Sequence, residues 1–170
     1  NCFLRIPKDT DLRPVVTGWY SEFTALEERK REERVVYGRA GDRFAGATYD
    51  PTSHYRAAAV FRFFQDRDLT PPLLREVSQH QIGLLAREFD ALDLDPAIIS
   101  RDPAPLSEIG GFLALRSLTA TRLTRELHAR GVRTDARGNI LRLGPAPYLS
   151  DRQLRDAIAL LREVVRERPG

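Results

Sequence analysis

Apolar residues in the second half of the chain fall at two different periods, and the changes of period mark the expected elements. Leu154, Ile158, Leu161 and Val165 recur every three or four residues behind Ser150-Asp151. That spacing predicts a closing helix with one buried face and a capped start. Ile140 to Leu143 alternates around a single arginine and follows the turn residues Arg137-Gly138-Asn139. With Val132 to Asp135 before the turn, this predicts two short antiparallel strands. Gly110 to Arg116 reads as a further strand. Thr119 or Thr121 can cap a short helix ending at Arg130-Gly131, where glycine suits a left-handed C-cap.

Upstream, Ala57, Val60, Phe61 and Phe64 are set at helical spacing within a helix expected over 52–65, with Asp50 as N-cap candidate and Pro51 in its first turn. A second helix starts near Thr70-Pro71-Pro72 and runs to about Leu92. Its stripe of Leu73, Val77, Leu84, Leu85 and Phe89 is interrupted at His80 and Gln81. His80 reads as a half-buried helix residue, because no metal-type partner lies near it in sequence. Cys2 to Ile6 is expected to form a short strand stopped by Pro7. Glu27 to Arg34 is a mixed-charge run suited to a solvated helix face. The order strand, helix, strand, strand, helix in the last third describes an α/β fold class. It is a small α+β layer in which helices cover one side of a mostly antiparallel sheet.

Length and charge narrow the class. The chain has 170 residues with 42% apolar and 30% charged positions, enough for a core and typical of a globular domain. No apolar run reaches the ~20 residues of a membrane span, so no membrane partner is expected. Net charge is +3, and only two of the 27 basic residues, Lys8 and Lys30, are lysines. The arginines are spread among acidic residues instead of gathered with aromatics, so no nucleic-acid partner is expected. Cys2 is the single cysteine, which excludes an internal disulfide and fits a reducing, cytoplasmic setting. The start lacks a Met or a signal pattern, and reads as a cut through a longer protein or a processed terminus.

Arg142 is the first candidate for chemistry. In a strand it points away from the face used by Leu141 and Leu143, and its guanidinium needs an anion. A carboxylate held bidentately suits that planar fork. The anion could be a ligand's or an internal Asp or Glu, or the arginine could stand exposed on an edge strand. Gly18-Trp19 and Gly46-Ala47-Thr48 come next. A glycine beside an aromatic lets backbone approach a flat ligand, and a Thr after Gly-Ala can offer a hydroxyl and an N–H to a phosphate. Plain core and loop roles for Trp19 and Thr48 explain the same residues. No metal-ligand set is seen.

Three segments carry a resemblance: TGWYSEF over 17–23, RFAGATYDPTSHYRAAAVF over 43–61 and RGVRTDARGNILRLGPAPY over 130–148. In order and content they resemble the C-terminal half of class V aminotransferase-like enzymes, in particular kynureninase-like, pyridoxal-phosphate (PLP) dependent enzymes of fold type I. The likeness covers nearly the whole chain. It implies that residues 1–50 end the large cofactor domain and that 51–170 form the small domain. It implies that Arg142 binds the α-carboxylate of an amino-acid substrate, and that Trp19, helped by Thr17, lies beside the PLP phosphate. Thr48 would reach the phosphate of a partner subunit's cofactor, which implies a homodimer with shared active sites. Ala47 between Gly46 and Thr48, and Tyr20 where relatives often carry Trp or Phe, depart from the family pattern.

Such enzymes also need a Schiff-base lysine, whose pKa is lowered by its surroundings. Lys8 in a polar loop and Lys30 in the charge run do not suit that role. The resemblance places the lysine upstream of Asn1, so no catalytic residue is assigned within the chain and the chain alone is expected to be inactive. Kynureninase-type hydrolysis is the first expectation, with an aminotransferase or a cysteine-desulfurase-like lyase behind it. Cys2, in an expected strand, is poorly placed for a desulfurase. The rival from another class is a non-catalytic basic interaction or dimerisation domain, including a PLP-fold protein that has lost catalysis.

Overall fold

The computed structural model describes residues 3–25 and 35–167, and the chain divides into two compact units, Asn1–Arg67 and Asp68–Gly170. The charge run over 27–34, Lys30 and Cys2 lie outside the described residues.

In the first unit, two 3-10 turns, Trp19–Ala25 and Ala40–Phe44, precede helix α1, Thr52–Asp66. Pro51, expected inside the first turn, instead holds the N-cap position of α1, and Asp50 before it accepts at Oδ1 from the Thr52 backbone N–H at 2.9 Å and the Thr52 hydroxyl at 2.7 Å. No residue of α1 is buried, and Phe61 remains 54% exposed within its expected stripe. The expected strand at the start is absent over Phe3–Ile6. That stretch pairs with no neighbour among the described residues, and Leu4 is 69% exposed. The first unit runs through α1 to Arg67.

The second unit holds helix α2 (Pro71–Asp90), strand β1 (Leu113–Arg116), helix α3 (Ala120–Ala129), strands β2 (Asp135–Arg137) and β3 (Ile140–Leu143), and helix α4 (Asp151–Arg166). The three strands form an antiparallel sheet in the order β1-β3-β2. Leu113 pairs with Leu143 and Leu115 with Leu141, and all four are buried under the helices. Ile82, Leu85, Leu123, Leu127, Ile158 and Leu161 supply the helical side of that core. The expected fold class is therefore the observed one, helices on a small antiparallel sheet.

The ends of these elements follow their local chemistry. Thr70 caps α2 by accepting from the Leu73 N–H at 3.3 Å. Ser150 and Gln153 close a reciprocal capping box on α4. At α3 the cap differs from expectation. Thr119 holds the N-cap position but makes no side-chain cap, and the Ser117 hydroxyl accepts the Thr119 N–H instead. Gly131 ends α3 with a φ of +86, which favours glycine. The expected strand over Val132–Asp135 is displaced to Asp135–Arg137, since the turn is the two residues Gly138-Asn139. Gly138 carries the positive φ at the first turn position, as in a type II′ hairpin. β1 starts at Leu113 and leaves Gly110 and Gly111 outside the ladder.

The interruption of the α2 stripe is a polar anchor. Gln81, 3% exposed, donates from Nε2 to the carbonyls of Ala146 at 3.0 Å and Leu149 at 3.1 Å. It ties the Gly144-Pro145-Ala146-Pro147-Tyr148 segment to the helix. One residue earlier, His80 Nε2 lies 2.7 Å from Asp151 Oδ1 at the start of α4. Gln81 thus anchors a loop to α2, while the exposed His80 links α2 to the start of α4.

Candidate functional site

The candidate residues fall into two groups, one in each unit. In the first unit, the backbone around Gly18 lies against residues 43–46. Gly18 N donates to Ala45 O at 3.4 Å, and Tyr20 N donates to Gly46 O at 3.1 Å. A side chain at 18 could not be housed there, as a Cβ would come 2.0 Å from Gly46 O. The Thr17 hydroxyl donates to Ala45 O at 3.0 Å, with Arg43 O at 3.3 Å. The Gly18-Trp19 and Gly46-Ala47-Thr48 segments, 26 residues or more apart in sequence, are thus neighbours in space.

The donor set there divides by residue. Thr17's one hydroxyl proton is committed to backbone carbonyls, so it fits a phosphate only as a residue that positions its neighbours. Trp19 is half exposed, its ring edge-on to Tyr20 with centroids 5.1 Å apart. Thr48 is exposed. Among the described residues their indole N–H and hydroxyl meet no acceptor, and such donors are the chemistry a phosphate needs. A concavity of about 470 Å3 beside them is lined by Tyr20, Phe23, Asp42, Gly46 and Tyr49 among others.

The second group is built on the outer face of the sheet. Leu141 and Leu143 face the core, so Arg142 between them faces away, on the central strand and not on an edge. The hairpin sets Asp135 directly across from Arg142 on β2, and Ala114 lies across from it on β1. Arg142 Nε donates to Asp135 Oδ1 at 2.6 Å, and Nη2 donates to Oδ2. Phe112 overlays the guanidinium, with Cζ 5.1 Å from the ring centroid. The hydrogen-bonded guanidinium holds the Asp135 carboxyl below its ordinary 3.8, and Asp135 in turn raises the pKa of Arg142. Both groups are therefore charged at neutral pH.

An opening of about 300 Å3 lies at this point, lined by Gly111, Phe112, Arg133, Thr134, Asp135 and Arg142 together with Gly144. Arg142 remains 29% exposed into it. The small Ala114 on the neighbouring strand leaves that side uncrowded. Thr134 Oγ1 is buried in the wall and has no hydrogen-bond partner among the described residues. Asp135 and Phe112 were not singled out by periodicity or composition. The signal for Asp135 was present, because a two-residue turn at 138–139 sets 137 against 140 and so 135 against 142. For Phe112 there was none short of the fold.

The model of the kynureninase C-terminal domain family matches residues 74–161, a little over half of the chain. The chain belongs to that family. It carries the C-terminal region of a kynureninase-like, PLP-dependent enzyme. The match runs from the first turn of α2 into α4 and includes Phe112, Asp135 and Arg142. It does not extend to Thr17, Trp19 or Thr48. No curated protein matches the chain. No helix among the described residues is long and apolar enough to cross a membrane.

Proposed function

We propose that this kynureninase-like region serves a PLP enzyme that hydrolyses the Cβ–Cγ bond of an amino acid, with kynurenine as the first substrate to test. One observation carries the reading: Arg142 opens into a concavity on the central strand with its guanidinium plane already held by Phe112 and Asp135. A fixed planar fork is suited to an α-carboxylate, and docking that group orients the bonds around the α-carbon. Bound PLP would supply the electron sink that makes the Cβ–Cγ bond, one bond beyond that carbon, cleavable.

Trp19 and Thr48 are the residues of this chain proposed to donate to the cofactor phosphate, with Thr17 holding the Gly18-Trp19 backbone in place. Thr48's donation would be to a partner subunit's cofactor, which makes the functional form a homodimer. Lys8 sits exposed in a turn and is not proposed as the cofactor's lysine. That lysine is assigned outside these residues, so activity is proposed for the full-length protein in the cytoplasm and not for this region alone. A non-catalytic basic domain would call for an exposed Arg142. Asp135 is its internal anion, and it is the Phe112 overlay and the opening beside the guanidinium that support a site.

The test is an absorbance spectrum of the full-length protein purified with PLP, before and after borohydride. A visible-edge band that reduction fixes onto a lysine, with turnover of kynurenine, is the expected result. Arg142→Ala should then raise KM for kynurenine by on the order of tenfold or more. A protein with no band and no PLP-linked lysine would overturn the enzymatic reading.

A further inference from the structure

We propose that Asp135 is a positioning residue for carboxylate binding, presenting Arg142 with one edge occupied and one edge free. This rests on the reading that Arg142 takes the substrate's α-carboxylate. A guanidinium has two edges that can each grip a carboxylate with parallel hydrogen bonds. One is formed by Nε and the adjacent Nη, the other by the two Nη atoms. Asp135 takes the first, through Nε at 2.6 Å and Nη2. Nη1 has no partner among the described residues, so the end-on edge is left for a second carboxylate.

Three restraints fix where that edge faces. The strand sends Arg142 out of the core between Leu141 and Leu143. Phe112 lies over the guanidinium and sets its plane. Asp135, facing it across the ladder, sets rotation within that plane. On the other flank Ala114 is too short to reach the edge, so the edge faces the opening rather than another side chain. Arg137 Nε, 3.6 Å from Asp135 Oδ2, shares the aspartate's charge. That second cation reduces the repulsion an incoming carboxylate meets from Asp135.

An aspartate merely balancing charge would weaken anion binding, and its removal would tighten it. An aspartate that orients the fork does the opposite, since a loosened guanidinium must be reordered by each ligand. The two roles therefore differ in the sign of one measurement.

The experiment is calorimetric titration of the full-length protein, with its cofactor fixed by borohydride so that no probe reacts. Two probes are used, L-kynurenine and the amine that lacks only its α-carboxylate. Asp135→Asn should weaken kynurenine binding by about fivefold and leave the amine unchanged, with Asp135→Glu recovering part of the loss. Unchanged or tighter kynurenine binding overturns the positioning role, and so does an equal loss for both probes, which marks a structural defect. If Asp135→Asn does not fold, Phe112→Leu removes the overlay alone and must give a kynurenine-selective loss, and its absence overturns the proposal. Arg142→Ala separates the two levels. If it leaves kynurenine binding intact, the carboxylate reading itself fails, whereas a loss with Arg142→Ala and none with Asp135→Asn defeats only the positioning role.

Discussion

Helices α1 and α4 both carry apolar residues at helical spacing, far more sharply segregated to one face in α4, and they end in opposite states. In α4, Leu154, Ile158, Leu161 and Val165 are all buried, and the helix packs on α2 and α3. In α1, Val60, Phe61 and Phe63 are each at least half exposed, and no position is buried. An apolar stripe predicts the helix and the face that wants burial, but burial needs a partner surface. The second unit supplies one within its own residues, and the first does not.

The largest test of that contrast removes one side chain from each helix. Leu161→Ala, at a fully buried position, should cost about 2–5 kcal/mol through lost transfer energy and a cavity. Phe61→Ala should stay within roughly 0.5 kcal/mol, as expected away from a packed core. Urea denaturation of each variant measures both. A core-sized cost for Phe61→Ala would break the comparison, meaning that the α1 face is covered in the intact protein.

How far the sequence reached follows the same division. The α4 cap and core, the Gly131 stop and the outward face of Arg142 were legible, because each rests on a period or on one residue's backbone preference. The strand expected over Cys2–Ile6 was not, since five apolar-rich residues carry no information about whether a neighbouring strand exists to receive their hydrogen bonds. Gln81 read as a break in a stripe because its partners, the carbonyls of Ala146 and Leu149, are 65 and 68 residues away. At the candidate site, the need of Arg142 for an anion was legible. The identity of the internal one turned on a register that a three-residue turn would have shifted.

A smaller effect separates two glycines within the first unit. Gly18→Ala forces a Cβ to within 2.0 Å of Gly46 O, while a Cβ on Gly46 meets nothing within 4 Å. Overpacking of this kind typically costs about 1–3 kcal/mol. Gly18→Ala should therefore separate the 17–20 and 43–46 segments and speed hydrogen exchange at the Tyr20 amide, which donates to Gly46 O. Gly46→Ala should leave that amide protected. Equal exchange in both variants would mean that the two segments are not held together by this contact.

The finest comparison sets one threonine hydroxyl in each unit against the other. Thr17 Oγ1 donates to Ala45 O at 3.0 Å, whereas Thr134 Oγ1 is buried with no partner among the described residues. Replacing either by valine keeps the branched shape and removes only the polar atom. At 17 the change deletes a hydrogen bond and leaves a carbonyl short of a donor, a loss of about 0.5–1.5 kcal/mol. At 134 it removes a desolvated hydroxyl that gains nothing in return, so stability should hold or rise by up to roughly 1 kcal/mol. Amide exchange at Gly18 reads the first, and thermal melting of the second unit reads the second. If Thr134→Val instead destabilises, the hydroxyl has a partner in the protein, and the wall of the Arg142 opening gains a polar contact for whatever occupies it.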